Sequence, residues 1–256
     1  MALLYIAAEA RELQGVADRL TGLRPLKWPL DYAQEGILND RRILLAANGA
    51  GPKLAAQALE IAIRAIAAAD LQSSALEAVL SVGLCGALQA GLQEGQVIVA
   101  TNVKSPSSDE VFPACAVECE RPFVSGDIVS QDRIAGTTDE KAELGRRYHQ
   151  AAAVEMEAFG VAARAKRAGL PFGCIKAVSD RADESFKLDF NGLRSADGRI
   201  SRGKIVGKVF AKPSVIPELF RLKRRAEMAA SALGDFLVTC RISVQTVGVG
   251  VAEDRS

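Results

Sequence analysis

Apolar and polar residues along this chain follow two periods, and the changes between them mark its elements. Ala2-Leu3-Leu4-Tyr5-Ile6-Ala7-Ala8 is a short apolar run followed at once by charge, which predicts a buried strand over 2–8. Leu13, Val16, Ala17 and Leu20 then recur at helical spacing and predict a helix over 10–20. Residues 32–38 and 42–47 read as strands joined at Asn39-Asp40, a hairpin-like pair. Asn48-Gly49-Ala50-Gly51-Pro52 is a glycine-rich turn into an Ala-rich helix over 53–69, with Pro52 near its first turn. Val79–Gly83 and Val97–Ala100 read as strands, the first ending in Leu84-Cys85-Gly86-Ala87-Leu88 and the second preceded by a Gly95-Gln96 turn. Residues 104–120 look like a loop or a sheet edge. Residues 152–168 begin as strand and become helix after Glu155, and 171–178 form a core strand ending at Ser179-Asp180. A polar stretch over 181–203 leads to a long helix at 214–238, and 241–256 reads as a frayed tail. Strands alternating with helices, with no internal repeat or linker, predict one three-layer α/β domain over 1–240.

Composition narrows the function classes. The chain has 256 residues, 49% hydrophobic and 25% charged, which is ordinary globular usage and ample for a core. A formal net charge of +1 provides no field that would draw nucleic acid, so no nucleic-acid partner is expected. The five cysteines are odd in number and lack a CxxC pair, so they read as reduced thiols rather than a zinc set or a disulfide frame. The single histidine, His149, sits in the polar Arg146-Arg147-Tyr148-His149 stretch, a loop or helix end. Triads, Cys-His dyads and multi-histidine metal sites would all need that residue. Catalysis is therefore expected to rest on carboxylates, Arg/Lys and backbone dipoles, with no metal and no cofactor. The N-terminus lacks a cationic leader, and no apolar run reaches the ~18 residues of a membrane span. The expectation is a soluble cytoplasmic protein.

Three features carry candidate chemistry. Glycine-rich segments at Asn48-Gly49-Ala50-Gly51, Gly83-Leu84-Cys85-Gly86 and Ser125-Gly126-Asp127 each follow an apparent strand, where the ligand crevice of an α/β sheet lies. Singly, each is also what a tight turn looks like. Val154-Glu155-Met156-Glu157-Ala158 carries two carboxylates two apart at a helix start. They suit the helix dipole, and equally a bidentate grip on two ribose hydroxyls with Met156 against the sugar. Asp180 follows an apolar strand in Val178-Ser179-Asp180-Arg181-Ala182-Asp183, either as a cap for a helix after 183 or as a carboxyl half out of water that donates a proton to a leaving group.

Taken in order, these runs resemble the 5′-methylthioadenosine/S-adenosylhomocysteine nucleosidases and their nucleoside phosphorylase relatives. The matching elements are Gly49-Ala50-Gly51, Gly83-Leu84-Cys85-Gly86-Ala87-Leu88 with Gly95-Gln96-Val97, Ser125-Gly126-Asp127, the VEMEA run, Pro171-Phe172 and SDRAD, across about 3–183. The polar stretch from Leu188-Asp189-Phe190 to Asp197-Gly198-Arg199-Ile200-Ser201 is similar to a subgroup associated with hopanoid biosynthesis, thought to remove adenine from adenosylhopane.

The resemblance implies a nucleoside phosphorylase-like α/β/α fold with a central mixed sheet, and cleavage of a purine nucleoside at its anomeric carbon. Asp180 would be the general acid toward the purine and Ser179 its orienting neighbour, with Glu157 on the ribose hydroxyls. Further substrate contacts would come from Met156, Phe172, Val129, Gly86 and Cys85. Glu9 or Glu12 would activate water, both alignments being open. Arg11, Gly51 and Lys176 would form the phosphate or nucleophile pocket, phosphate being the one candidate co-substrate. Some positions depart from the family: Ser81 where the phosphorylases carry arginine, Leu84 where a serine is expected, and Lys176 in place of an arginine. A catalytically impaired nucleoside-binding module thus stands as the alternative. The resemblance also implies a homo-oligomer. Arg221, Lys223, Arg224 and Arg225, beside Leu219, Phe220 and Leu222, read as an amphipathic surface helix or as a contact with a membrane surface.

Overall fold

In the computed structural model the described residues are 1–68, 75–149, 151–195 and 215–243. In chain order the elements are β1 (Ala2–Ala7), α1 (Ala10–Ala17), β2 (Thr21–Pro25), β3 (Tyr32–Leu38), β4 (Arg41–Ala47), α2 (Pro52–Ala68) and β5 (Leu76–Ala87). There follow β6 (Val97–Ser105), β7 (Ser108–Pro113), β8 (Ala116–Glu118), β9 (Val124–Ser130), α3 (Thr138–Arg147), β10 (Ala151–Glu155), α4 (Ala158–Arg167) and β11 (Phe172–Asp180). The helix α5 (Ile216–Thr239) and β12 (Arg241–Ser243) complete the described chain.

Ten strands form one mixed sheet in the order β10-β9-β6-β11-β5-β1-β4-β3-β2, with β7 on β6. β10 also pairs with β5, so β5, β11, β6, β9 and β10 close on themselves into a small barrel. β1 lies between β4 and β5 and is buried on both faces, which is why its sequence is a continuous apolar run rather than an alternation. The β3–β4 hairpin turns at Asn39 and Asp40, both with positive φ (48° and 61°), the left-handed pair a two-residue hairpin turn needs.

Helices cover both faces of the sheet. Ala55, Ala58, Leu59 and Ala62 of α2, with Ala158, Val161, Ala162 and Ala165 of α4, pack on one side. Leu13, Val16 and Ala17 of α1, with Ala229, Leu233, Phe236 and Leu237 of α5, pack on the other. α1 and α5 approach backbone to backbone: a Cβ on Gly15 or on Gly234 would overlap the main chain of the opposing helix.

The structure corrects several expectations. Gly83-Leu84-Cys85-Gly86 is not a turn after a strand but lies inside β5, because β11 and β10 continue to pair with it through Cys85 and Gly86. Ser125-Gly126-Asp127 likewise belongs to β9. Residues 241–243 are not tail: they form β12 against β8, burying Ile242. The exposed strand β2 and the helix α3 were not foreseen, although Thr137-x-x-Glu140 forms a capping box that announces α3. Residues 244–256 of the expected tail, and 196–201 of the hopanoid-like stretch, lie outside the described residues.

Candidate active site

The carboxyl ends of β1, β4, β5, β10 and β11 converge on one cavity of about 1030 Å³. This is the crevice position expected of an α/β sheet.

The two carboxylates at the start of α4 divide their work. Glu155 turns back to accept from the backbone N–H groups of Glu157 (2.9 Å) and Ala158 (3.0 Å), anchoring the helix N-terminus. It also pairs with Lys176 at 2.7 Å, both side chains being buried. Glu157 is thereby free to face the cavity, where its Oε1 accepts from Gly51 N at 3.0 Å and its Oε2 lies 3.5 Å from Lys176 Nζ. Burial opposes ionisation of Glu155, but Lys176 overcomes it and holds the carboxyl below its ordinary value. Burial pushes Glu157 up to about 7 against the pull of Lys176. Burial also works against the Lys176 ammonium, yet Glu155 and Glu157 outweigh it and keep the lysine charged.

Glu12 enters from the first turn of α1, and its Oε2 accepts from Ala8 N at 3.3 Å. Its carboxylate rests on the Cα of Gly83, whose φ of +131° puts that stretch of β5 in a conformation L side chains rarely adopt. A Cβ at 83 would overlap the carboxylate. Burial, followed by the negative charge of Glu157, pushes Glu12 up to about 8. Asp180 closes the far side at the end of β11, packed against Gly86. Ser179 Oγ donates to Asp180 Oδ1 (2.7 Å), and Lys141 Nζ pairs with Asp180 Oδ2 at 2.6 Å. The site thus holds two carboxyls, Glu12 and Glu157, pushed up to the neutral range by burial, and a third, Asp180, oriented from two sides.

The sequence profile of the Phosphorylase superfamily matches residues 31–210. The chain belongs to this superfamily. A 5′-methylthioadenosine/S-adenosylhomocysteine nucleosidase of Staphylococcus aureus is 24% identical over 213 residues, which is 73% of this chain and 90% of that protein. The fold agrees with that of the corresponding nucleosidase of Neisseria meningitidis in complex with methylthio-immucillin-A (TM-score 0.67, 22% identity, 93% of this chain and 96% of that one). It also agrees with the futalosine hydrolase of Helicobacter pylori (TM-score 0.66, 18% identity, 93% and 95% covered).

In this superfamily member, Glu12, Glu157, Met156, Ser179, Asp180, Cys85 and Gly86 all line the cavity. Glu9 and Arg11 sit at its rim, largely solvated and paired with each other at 2.8 Å. Gly51 and Lys176 stand behind the lining and act through Glu157 and Glu155. Two expected contacts are misplaced. Phe172 opens β11 eight residues before Asp180, roughly 26 Å away at ~3.3 Å per residue, and packs in the core under α2 and α4. Val129 is fully buried between β10 and the underside of α3. Leu84 lines the cavity, while Ser81 is buried in the sheet with no hydrogen-bond partner for its hydroxyl. Asp180 caps no helix, since none forms within 181–195, and it is no solitary carboxyl, because Lys141 faces it. Arg225 is not part of a solvated basic face: it bridges Glu184 and Glu94. Phe186, Phe190, Leu219 and Leu222 form the apolar side of the cavity, so Leu219 and Leu222 do not belong to a surface face of α5; the segments that bring these residues together are remote in the chain.

Proposed function

We propose that this chain hydrolyses the N-glycosidic bond of an adenine nucleoside whose 5′ substituent is large and apolar. One observation carries the reading: Glu12 and Asp180 rest on Gly83 and Gly86 of the same strand. Three strand residues span roughly 10 Å. That length accommodates a water under the anomeric carbon at one end and the purine ring at the other. Glu12 takes a proton from the water as its oxygen bonds to the anomeric carbon. Asp180 gives a proton to the departing purine, and Glu157 and Met156 hold the ribose between them. A group pushed up to about 8 matches a base working near neutral pH.

Water is favoured over phosphate because Arg11, the expected phosphate anchor, sits at the rim and is already held by Glu9, while the ammonium of Lys176 stands behind the lining, paired with Glu155. The curated relatives that match are named nucleosidases, which supports the same choice. The apolar side made by Phe186, Phe190, Leu219, Leu222 and Ala226, in a cavity of about 1030 Å³, suits a hydrocarbon 5′ group such as the hopanoid resemblance implies. A substrate with such a tail resides in a bilayer. α5 offers exposed Phe220 beside Arg221, Lys223 and Arg224 as the membrane contact. No helix among the described residues is long and apolar enough to cross a membrane.

The test is chromatographic detection of adenine released from methylthioadenosine, adenosine and a long 5′-alkyl adenosine, each with and without phosphate. Free adenine without phosphate, fastest from the alkyl substrate, is the expected result. Release that requires phosphate refutes hydrolysis, and binding without release from any substrate would make the chain a nucleoside-binding module.

A further inference from the structure

Lys141 is a buried charge beside this site, in direct contact with Asp180, to which the mechanism above gives no role. Its side chain is 1% exposed, although it belongs to α3, an otherwise polar surface helix. Such burial of a lysine is stable only with full compensation. All three ammonium hydrogens have acceptors: Asp180 Oδ2 at 2.6 Å, Arg181 O at 2.6 Å and Glu184 O at 3.1 Å. The ammonium also lies 5.6 Å from the ring centroid of Phe186, which lines the cavity. Lys141 itself does not reach the cavity wall. It grips the acid and the segment behind it from outside.

We infer that Lys141 is a positioning residue for leaving-group protonation, fixing one oxygen of Asp180 and facing the carboxylate that remains once the proton has moved to the purine. The inference rests on the hydrolytic reading above and adds a residue to it. The geometry leaves Asp180 little freedom. Ser179 Oγ holds Oδ1 at 2.7 Å and is itself within reach of Cys85 O at 3.2 Å. Lys141 holds Oδ2 from the opposite side. The strand pairing of Asp180 with Gly86 sets the backbone. The proton balance is simple: when it acts, protonated Asp180 gives its proton to a purine ring nitrogen as the glycosidic electrons enter the base, and the carboxylate left behind has its ion pair with the Lys141 ammonium. An ion pair regained as the proton leaves favours departure of the base, so its loss should appear in kcat rather than in ground-state binding.

This role separates from a structural one by the choice of leaving group. A purine needs a proton to depart, whereas 4-nitrophenolate does not. Lys141→Met, Lys141→Arg, Asp180→Asn and the Lys141→Met/Asp180→Asn pair would be assayed on an adenine nucleoside and on 4-nitrophenyl β-ribofuranoside, with circular dichroism to confirm folding. For Lys141→Met, kcat on the adenine nucleoside is expected to fall about 10²-fold with KM within about threefold, while the nitrophenyl riboside loses less than about fivefold. Lys141→Arg is expected to recover part of the loss. In the Asp180→Asn background, Lys141→Met should cost little more, because the two act as one unit. If Lys141→Met fails to fold, the double variant removes the unpaired carboxylate, and Lys141→Arg carries the leaving-group comparison. Equal losses on both substrates for Lys141→Arg or Lys141→Met overturn the inference. So does an Asp180→Asn loss that no Lys141 variant shares, which would leave the hydrolytic reading standing. Absence of adenine release by the unmodified protein overturns both.

Discussion

Replacing Lys176 with methionine keeps the side-chain volume and removes the ammonium that faces Glu155 and Glu157. Lys176 Nζ is 2.7 Å from Glu155 Oε2, and both side chains are at most 1% exposed. Two unit charges at that distance attract by about 6 kcal/mol at an effective dielectric constant near 20. Part of that gain is offset by the desolvation of both ions in the native protein. Removing one partner of such a pair strands the other, at a cost of about 3–5 kcal/mol. In a chain of this size, the melting temperature would fall by about 6–20 °C. The loss must also depend on pH. Glu155 is held below its ordinary value of 4.5 in the native protein. Its stabilising share is therefore present above that value and lost as pH falls through the folded one. Without Lys176, only the N–H groups of α4 and the Ser130 hydroxyl still favour the ionised form against burial, and the titration of Glu155 moves upward. The gap between the two proteins should be widest near pH 8 and narrow toward pH 5. Urea denaturation at both pH values measures it, and a further Glu155→Gln change should recover more than half of the loss. A gap below about 1 kcal/mol at pH 8, or one of the same size at both pH values, refutes the reasoning.

Other expectations follow from the same geometry. Glu12→Gln should lower kcat about 10²-fold or more, and Glu9→Gln, on a solvated rim pair, should change it less than about fivefold; comparable losses would reopen the choice of base. Gly83→Ala places a methyl group on the Glu12 carboxylate at a φ of +131°, so both kcat and the melting temperature should drop, and an unchanged kcat would separate Glu12 from catalysis. Since Glu12 is pushed up to about 8 and must be ionised to act, kcat/KM should climb from about pH 6 and level off above about pH 8. A profile flat over that range removes Glu12 as the base. Leu222→Glu on the apolar side should raise KM for a long 5′-alkyl substrate about tenfold while leaving adenosine within about threefold; equal effects on both would put the 5′ group elsewhere.

Local rules made much of this protein legible in advance. β1 reads as buried because it is apolar at every position, the β3–β4 hairpin because Asn and Asp tolerate left-handed backbone, and α2 because proline suits a first turn. The VEMEA and SDRAD runs likewise marked Glu157 and Asp180, since both stand within a few residues of their strand ends. What the chain could not disclose are relations between distant segments. Glu155 and Glu157 look alike in sequence, and only the N–H groups of α4 and the ammonium of Lys176 separate an anchor from a ligand-facing group. Glu9 and Glu12 both align with the expected base. The path of α1 over Gly83 is what buries one and leaves the other at the rim. Phe172 shares a strand with Asp180 yet stands at its opposite end, a separation that motif order does not convey. Lys141 lies in a helix whose local pattern is that of a solvated surface. Its burial comes from the fold of residues 180–186 over α3, a contact across about forty residues that no local period encodes. Periodicity and turn chemistry act within a few residues and determine elements, whereas charge pairing and burial act through space and are decided only when those elements have packed.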